Sequence, residues 1–360
     1  MKKIKWGVLG TAGIAKGQTI PGMKEADNCE LYAIAGRNIE KAKEFQAEFG
    51  FEKAYGSYEE LIQDTEVEAI YIPLPNTLHY EWTIKALEAK KHVLCEKPLA
   101  PSEDVARQMI EASEKNGVLL MEAFAYLHSP FTKAIKQEVD NKTIGDVVYM
   151  ESTFITSDYD ISNIRMRRDT LGGCLYDLGC YNTTQILWML EEEPESVRAI
   201  SDFSEEGIDV YTTAIFKFKS GKKASLKCGM ILATEKEGWF DRIDSFRIHG
   251  TKGSIRSEVQ FNQCGKLAYI INLDGKEEVK VIDTPQNYRL EVEQFGRCIR
   301  EGENLHVSQE FTLKNAKLMD RILKEISYGF MPVMVRSTSN TQKRDDFNVV
   351  IKNAMKSNNI

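Results

Sequence analysis

Residues 5–15 read Lys-Trp-Gly-Val-Leu-Gly-Thr-Ala-Gly-Ile-Ala, a short apolar stretch that runs directly into a turn of small residues. Gly10, Ala12 and Ala15 occupy the three places of the G-x-G-x-x-G/A fingerprint, where small side chains let the backbone approach a pyrophosphate at the next helix N-terminus. A plain tight turn is the alternative. The position after a first strand favours a dinucleotide-binding turn, which predicts cofactor contacts from Gly10, Thr11, Ala12, Gly13, Ile14 and Ala15.

The chain around this turn alternates buried strands with amphipathic helices. Five apolar runs have the length of strands: Lys5–Leu9, Leu31–Ala35, Ala69–Leu74, His92–Cys95 and Val118–Met121. Helical patterns lie between them at Ile39–Phe49, Leu78–Ala89 and Ser102–Asn116. Thr77 and Ser102 are residue types that cap the last two helices. This alternation predicts βαβ units and an N-terminal Rossmann domain with a parallel sheet.

The pattern changes at about residue 147. Six runs alternate apolar and polar residues, as half-buried strands do: Val147–Ile155, Ser196–Phe203, Tyr211–Phe218, Lys223–Ile231, Ser245–Ile248 and Ser254–Phe261. Helical patterns occur at Tyr176–Leu190, Leu290–Arg300 and Phe311–Glu325. These runs predict an α+β domain with a large open, mostly antiparallel sheet. Because a partner sheet would cover such an open sheet, we also expect a homo-oligomer.

The overall prediction is an α/β chain of two domains and a tail. Residues 1–122 form the dinucleotide-binding Rossmann domain. Residues 123–330 form the substrate-binding and oligomerisation domain, whose last helices pack back on the first domain. Residues 331–360 form a C-terminal tail.

Composition excludes several classes of protein. The 360 residues carry 47 Lys and Arg against 54 Asp and Glu, a net charge of −7 that disfavours nucleic-acid binding. No apolar run approaches the roughly 20 residues that span a bilayer. Seven dispersed cysteines without a C-x-x-C pair predict reduced thiols and no metal site. Together with the lack of a convincing signal-peptide cleavage site, this predicts a cytoplasmic protein without membrane or nucleic-acid partners.

The end of the second strand carries the residue that selects the cofactor. An acidic residue there would bind the ribose 2′-hydroxyl of NAD and repel a 2′-phosphate, but residues 35–38 read Ala-Gly-Arg-Asn. Arg37 can pair with a phosphate and stack on adenine. The sequence therefore predicts NADP. NAD is the alternative if Arg37 is a solvated loop residue.

Two further polar segments each follow a predicted strand. Residues 73–79 read Pro-Leu-Pro-Asn-Thr-Leu-His, and residues 96–98 read Glu-Lys-Pro. The carboxyl ends of parallel strands form the ligand-binding edge of such a sheet, so cofactor contacts are predicted from Pro75, Asn76, His79, Glu96 and Lys97. The Lys97 ammonium would bond a substrate hydroxyl and lower the pKa of nearby acid/base groups. The alternative is a surface salt bridge between Glu96 and Lys97.

Three segments together resemble one family. Gly10–Ala15, Pro75–His79 and Glu96-Lys97-Pro98 are similar to the glucose–fructose oxidoreductase/inositol dehydrogenase (Gfo/Idh/MocA) family, and the resemblance extends over residues 1 to about 330. Glu-Lys-Pro is its most specific mark. Residues 172–181 also fit, since they read Gly-Gly-Cys-Leu-Tyr-Asp-Leu-Gly-Cys-Tyr. In the family, such a segment opens a helix whose Asp, and a Tyr or His four residues later, face the nicotinamide.

The resemblance implies a role for each residue. A hydride would pass between the nicotinamide and a sugar carbon whose oxygen is held by Lys97. Asp177 would accept a hydrogen bond from a neighbouring hydroxyl, and Tyr181, on the same helical face, would be the acid/base with a lowered pKa. Alternatives are a helix-capping Asp and a packing Tyr. Arg165 matches a pattern of the xylose dehydrogenase and dimeric dihydrodiol dehydrogenase branch, and is expected to contact substrate.

Several other residues have weaker patterns. His128 follows the predicted strand Val118–Met121 and is expected to line the sugar site, with a packed loop histidine as the alternative. Trp239 and Phe240 are expected at an interface, or stacked on a sugar ring. Asp158 and Asp160 are expected to be solvated loop acids, although they precede Arg165 near the expected cleft.

The sequence thus predicts an NAD(P)-dependent oxidoreductase that acts on a hydroxyl-bearing carbon of a sugar, polyol or glycoside. One alternative retains its nucleotide and oxidises a glycoside hydroxyl, such as that at C3, within a longer pathway. An alternative of another class is a non-catalytic nucleotide-binding sensor. The sensor predicts loss of Lys97, Asp177 or Tyr181, and all three are present.

Overall fold

A computed structural model describes residues 2–157, 162–232 and 241–327. The predictions for Asp158, Asp160, Trp239, Phe240 and the tail 331–360 lie outside the described residues. Within the described ranges, no helix has the length and apolar character needed to cross a membrane. All seven cysteines are described, and all are free thiols.

The first domain is a doubly wound parallel sheet. Its strands are β1 (Ile4–Leu9), β2 (Cys29–Ala35), β3 (Lys53–Tyr55), β4 (Ala69–Ile72), β5 (His92–Glu96) and β6 (Leu120–Ala123). Its helices are α1 (Ile20–Glu25), α2 (Ile39–Phe49), α3 (Tyr58–Gln63), α4 (Asn76–Glu88) and α5 (Glu103–Asn116). The strand order β3-β2-β1-β4-β5-β6 is that of the Rossmann fold, which confirms the prediction.

Local caps explain where these helices begin and end. Ser102 accepts a hydrogen bond from Val105 N and caps α5, as predicted, and Gly117 ends the helix with a φ of 68°. Thr77 does not cap α4, because the helix begins at Asn76, two residues before the predicted start at Leu78. There Pro75, with a φ of −56°, provides the extended residue before the first turn. The short elements β3 and α3 were not predicted, since three half-buried residues show no clear periodicity.

The second domain follows a 3₁₀ turn (Ala125–His128) and helix α6 (Pro130–Asp140). Its strands are β7 (Val147–Ser157), β8 (Ser196–Phe203), β9 (Asp209–Lys217), β10 (Lys223–Leu232), β11 (Arg242–Gly250), β12 (Gly253–Ser257), β13 (Gly265–Leu273) and β14 (Lys276–Thr284). Its further helices are α7 (Cys180–Leu190), α8 (Asn287–Glu301) and α9 (Gln309–Glu325), with short turns at Ile164–Met166, Arg168–Thr170 and Leu175–Gly179.

The eight strands form one sheet in the order β14-β13-β12-β11-β7-β10-β9-β8. Neighbouring strands are antiparallel except β7 and β10, so the predicted large, mostly antiparallel sheet is confirmed. Strands β13 and β14 were not predicted. The edge strand β14 is largely exposed and rich in Lys and Glu, so it lacks the apolar alternation of a half-buried strand.

Helices α8 and α9 return to the first domain. Gly22 of α1 is so close to α8 that a Cβ there would lie 2.7 Å from Arg289 N. Arg300 of α8 donates to Glu68 Oε1 at 2.6 Å. Glu68 directly precedes β4, so these contacts fix α8 against α1 and against the amino end of the parallel sheet.

Candidate active site

One large cavity, of about 1320 Å³, has walls from both domains. The predicted site residues that line it are Gly10, Thr11, Ala12, Gly13, Ile14, Arg37, Pro75, Asn76, Glu96, Lys97, Arg165, Asp177 and Tyr181. The structure therefore brings together residues that are up to 171 positions apart in the chain. Asn76 Nδ2 donates to Leu171 O at 2.9 Å and connects the two walls directly.

The turn after β1 has the geometry that a dinucleotide requires. Gly10 has a φ of +116°, a left-handed conformation that favours glycine, and its N donates to Ala35 O at 2.8 Å. A Cβ added to Gly13 would have no atom within 4 Å, so this backbone faces open space in the cavity. A pyrophosphate fits here. Ala15 is wholly buried and does not line the cavity, and its small side chain instead permits close packing of the next turn on the sheet.

Arg37 lines the cavity at the end of β2, beside the hydroxyl of Tyr58. The pKa of Tyr58 is raised by burial, which Arg37 partly opposes. Asn38 caps α2 through Glu40 N at 2.9 Å, so the chain turns into the helix directly after Arg37. No carboxylate occupies the tip of β2, where one would repel a 2′-phosphate.

Lys97, Asp177 and Arg165 form an ion-pair cluster where the two domains meet. Lys97 Nζ donates to the main-chain O of Asp177 at 2.7 Å and to its Oδ1 at 3.1 Å. Arg165 Nε donates to Asp177 Oδ2 at 2.6 Å. The side chains of Lys97 and Asp177 are only 13% and 16% exposed. Asp177 therefore binds two cations and is not a simple helix cap, and Lys97 is not in a surface salt bridge with Glu96.

The contacts within the cluster keep both Asp177 and Lys97 ionised. Burial opposes ionisation of Asp177, but Arg165 and Lys97 outweigh it and hold the pKa of that carboxyl well below its usual range. Burial likewise opposes the charge of Lys97, but Asp177 outweighs it and raises the pKa of the amine. Lys97 is thus a permanent cation at neutral pH, able to donate hydrogen bonds but not to act as a base.

Tyr181 lies beside this cluster, with Lys97 Nζ 4.9 Å from the centre of its ring. Its hydroxyl accepts a hydrogen bond from Asn262 Nδ2 at 3.4 Å, and the ring packs against Phe154 and Phe261. Burial raises the pKa of Tyr181 well above its usual value, and nearby carboxylates such as Glu96 add to this. The prediction of a lowered pKa is therefore wrong. The phenol is protonated at neutral pH and is suited to donate a proton.

Glu96 supports the backbone that carries Lys97. Its Oε1 accepts a hydrogen bond from the Tyr71 hydroxyl at 2.6 Å, and its Oε2 accepts one from Lys97 N at 3.3 Å. The Tyr71 hydroxyl is in turn 2.8 Å from Thr19 Oγ1, which follows the dinucleotide turn. Glu96 therefore connects the lysine to the cofactor half of the cavity.

Known proteins match both domains of the chain. The oxidoreductase family GFO/IDH/MocA, with an NAD-binding Rossmann fold, matches residues 4–124, and its C-terminal domain matches residues 132–256. A D-xylose 1-dehydrogenase (NADP(+)) from Haloferax volcanii is 32% identical and covers 90% of this chain and 98% of its own length. The chain belongs to the GFO/IDH/MocA family. The resemblance expected from the sequence is confirmed, and the protein is an NAD(P)-dependent oxidoreductase.

Two further relatives extend the comparison. A trans-1,2-dihydrobenzene-1,2-diol dehydrogenase from Xenopus laevis is 31% identical, over 89% of this chain and 96% of its own. The crystal structure of KijD10, a 3-ketoreductase from Actinomadura kijaniata in complex with NADP and TDP-benzene, superposes with a TM-score of 0.84 at 28% identity. That superposition covers 90% of this chain and 98% of KijD10.

Two histidines expected in the GFO/IDH/MocA site lie outside the cavity. His79 is wholly buried in α4, with Nδ1 2.9 Å from Pro98 O and Nε2 2.7 Å from Leu74 O. It supports the segments on either side of the cofactor cleft without lining it. His128 is also buried, and its ring centre lies 4.8 Å from that of His306, with the two rings tilted by 53°. The prediction that His128 lines the sugar site is wrong, because the 3₁₀ turn after β6 packs against α8 and places His128 beside His306, in the segment between α8 and α9.

Asp209 is a residue of this site that the sequence analysis missed. It is wholly buried, and its Oδ2 accepts hydrogen bonds from Leu175 N at 2.7 Å and Cys174 Sγ at 3.1 Å. Gly173, with a φ of +123°, is packed so closely that a Cβ there would lie 2.0 Å from Asp209 Oδ1. Asp209 thereby holds the turn that presents Asp177. No local pattern marks it, because the two segments meet only in the fold.

Proposed function

We propose that the protein transfers a hydride between NADP and a hydroxyl-bearing carbon of a sugar, polyol or glycoside. The observation that carries this proposal is the cluster of Lys97, Asp177 and Arg165 with Tyr181, in the same cavity as the dinucleotide turn. Relatives named as an NADP-dependent xylose dehydrogenase and as a dihydrodiol dehydrogenase support the substrate class. KijD10, with NADP bound, supports the cofactor.

Each residue then has a defined task. The nicotinamide, when bound, accepts or donates the hydride. The Lys97 cation donates a hydrogen bond to the reacting oxygen and stabilises negative charge on it, while Asp177 and Arg165 hold the ammonium in place. In the direction of reduction, the Tyr181 hydroxyl gives its proton to that oxygen. In the direction of oxidation, the phenol first loses its proton to solvent, and the phenolate then accepts the proton of the substrate hydroxyl as the hydride leaves the carbon.

A substrate screen tests the proposal. Purified protein is incubated with NADP and a panel of monosaccharides, polyols and methyl glycosides, and NADPH is followed by its absorbance. We expect turnover of at least one member, with Lys97→Met as the inactive control. Intact NADP binding with no turnover across the whole panel would contradict the proposal and favour a nucleotide-binding sensor.

Arg37 is proposed to bind the 2′-phosphate of NADP. Replacement by Gln removes a charge-assisted hydrogen bond, which contributes roughly 1.5–3 kcal/mol, so we expect kcat/KM for NADP to fall about 10- to 100-fold. The kcat/KM for NAD is expected to stay within about two-fold of the wild-type value. Arg167→Gln is the matched control, since Arg167 is an exposed arginine that pairs with Asp169. A wild-type enzyme that prefers NAD would show that Arg37 does not select the cofactor.

The second sheet is proposed to form the contact between copies of the chain. Strand register places six exposed aliphatic side chains on one face of it, namely Ile200, Ile215, Ile231, Ile243, Val279 and Val281. Ile200 and Ile215, on the neighbouring strands β8 and β9, are 73% and 57% exposed, and exposed apolar side chains on one face of a sheet favour an interface.

Sedimentation velocity tests this interface. We expect the wild-type chain to sediment as an oligomer and Ile215→Lys to shift it towards smaller species. Val148→Lys is the control, because register places the exposed Val148 on the opposite face. A monomeric wild-type chain would contradict the proposal. The cytoplasmic location and the domain boundary at residue 122 stay predictions from the sequence.

A further inference from the structure

Arg242, at the start of β11, lines the cavity on the side of the second domain. Its Nε and Nη2 donate to Asp244 Oδ1 and Oδ2, both at 2.5 Å. The Asp244 side chain is only 1% exposed, and its Oδ2 also accepts a hydrogen bond from Phe261 N at 2.8 Å. Residues two apart on a strand lie on the same face, so β11 itself aligns this pair.

The guanidinium of Arg242 also packs on an aromatic ring that reaches the catalytic residues. Arg242 Cζ lies 4.4 Å from the centre of the Phe154 ring, and that ring lies 5.6 Å from the ring of Tyr181. Arg242 is therefore within about 10 Å of the Tyr181 ring. A single sugar with its substituents can span that distance, so one molecule can contact both residues.

The guanidinium has a second edge, which is the one that a ligand would contact. Asp244 occupies the edge formed by Nε and Nη2, which leaves the Nη1 hydrogens and the second Nη2 hydrogen on the other edge. Among the described residues, none accepts a hydrogen bond from that second edge, and the Arg242 side chain is 21% exposed to the cavity. Two parallel N–H donors match a carboxylate or a phosphate group.

The charges of this half of the cavity favour an anion. Three cations, Lys97, Arg165 and Arg242, face two paired carboxylates, Asp177 and Asp244. Glu96, which lines the cavity beside Lys97, is held by Tyr71 and by the backbone of the next residue, and burial raises its pKa. Lys97, Arg165 and Arg242 thus outnumber the two carboxylates that pair with them, which favours an anionic ligand over a neutral one.

We propose that Arg242 is a specificity-determining residue, and that it binds an oxyanion, a carboxylate or phosphate, on the part of the sugar remote from the reacting carbon. This inference rests on the proposed function and narrows its substrate class to acidic or phosphorylated sugars. The carboxylate of a uronic acid, a phosphate monoester and the diphosphate of a nucleotide sugar share this chemistry.

Binding to the NADP-loaded protein tests the inference separately from turnover. Calorimetric titrations use D-glucose as the neutral probe and D-glucuronate, D-glucose 6-phosphate and dTDP-glucose as the anionic probes. We expect at least one anionic probe to bind about 10- to 100-fold more tightly than D-glucose, as charge-assisted bidentate hydrogen bonds allow. The anionic probe that binds most tightly shows whether the oxyanion is a sugar carboxylate, a phosphate monoester or the diphosphate of a nucleotide sugar.

Two variants and one control test whether Arg242 causes the preference for the anionic probe. Arg242→Gln is expected to abolish the preference for the anion, leaving the affinity for D-glucose within about two-fold. Because Gln leaves Asp244 buried without a cation, Arg242→Lys serves as a second variant that keeps the charge but loses the paired donors, and we expect it to retain only part of the preference. Arg247→Gln, on the same strand and 53% exposed, is expected to change nothing.

The outcomes separate the inference from the proposed function. Equal wild-type affinity for D-glucose and all three anionic probes would overturn the inference, as would an undiminished preference in both Arg242 variants. NADPH formation is followed in parallel with the same probes. Arg242-dependent binding without turnover would support the inference while contradicting the proposed reaction, whereas turnover of D-glucose alone would support the reaction and overturn the inference.

Discussion

Lys97→Met is expected to lower kcat/KM for the substrate by about 10²- to 10⁴-fold, the range associated with loss of an acid/base or charge-stabilising group. The Met side chain retains the apolar stem but cannot donate a hydrogen bond to the reacting oxygen. Arg165 remains paired with Asp177, so that carboxylate keeps a counter-charge and the fold is expected to persist. Steady-state kinetics measure the loss, and the quenching of protein fluorescence by NADPH measures cofactor binding.

The control for Lys97→Met is Lys142→Met, which replaces a lysine whose side chain is 70% exposed and pairs with Asp146. We expect this variant to keep wild-type kinetics. NADPH binding by Lys97→Met is expected to stay within a few-fold of wild type. Activity of Lys97→Met close to wild type would refute the assignment of Lys97 to the reacting oxygen.

Tyr181→Phe is expected to lower kcat by about 10²-fold or more, because it removes the proton donor while the ring keeps its packing against Phe154 and Phe261. The pKa of Tyr181 is raised, so in the direction of reduction the wild-type donor stays protonated through neutral pH. Its loss is therefore expected to depress the reductive rate across the whole neutral range. Rates measured as a function of pH in both variants provide the readout.

Tyr126→Phe is the matched control for Tyr181→Phe. Its ring lies 5.7 Å from that of Tyr181, but its hydroxyl is 2.9 Å from Thr184 Oγ1 and does not face the cavity. We expect a loss of stability without a comparable loss of kcat. If Tyr181→Phe retained more than about a tenth of wild-type kcat, the proton transfer would belong to a water molecule.

Parts of the site that depend on local sequence were predictable. The glycine turn, the Glu-Lys-Pro segment and the i, i+4 pair of Asp177 and Tyr181 each place their residues through a few neighbouring backbone angles. The cap at Ser102 is equally local. All of these appear where the sequence predicted them, since helix and turn geometry is set within about one turn of chain.

Other features could not be read in this way. Asp209 reaches Leu175 across 34 positions, and only the pairing of β9 and β10 brings it there. The Arg242–Asp244 pair had a local signal, opposite charges two apart on a strand, but nothing in that signal shows that the pair faces the cavity. His128 had the right position after a strand, and a single 3₁₀ turn directed it elsewhere.

The sequence by itself determined the two-domain plan of the protein, with a parallel dinucleotide-binding domain followed by an open sheet, and it pointed to Lys97, Asp177 and Tyr181 as the candidate catalytic residues. These follow from periodicity and short motifs, which act through adjacent residues. Only the tertiary structure decided the ionisation state of each of these three side chains. The cationic Lys97, the ionised Asp177 and the protonated Tyr181 depend on burial and on partners from distant segments, because the free energy of a charge is set by everything packed around it.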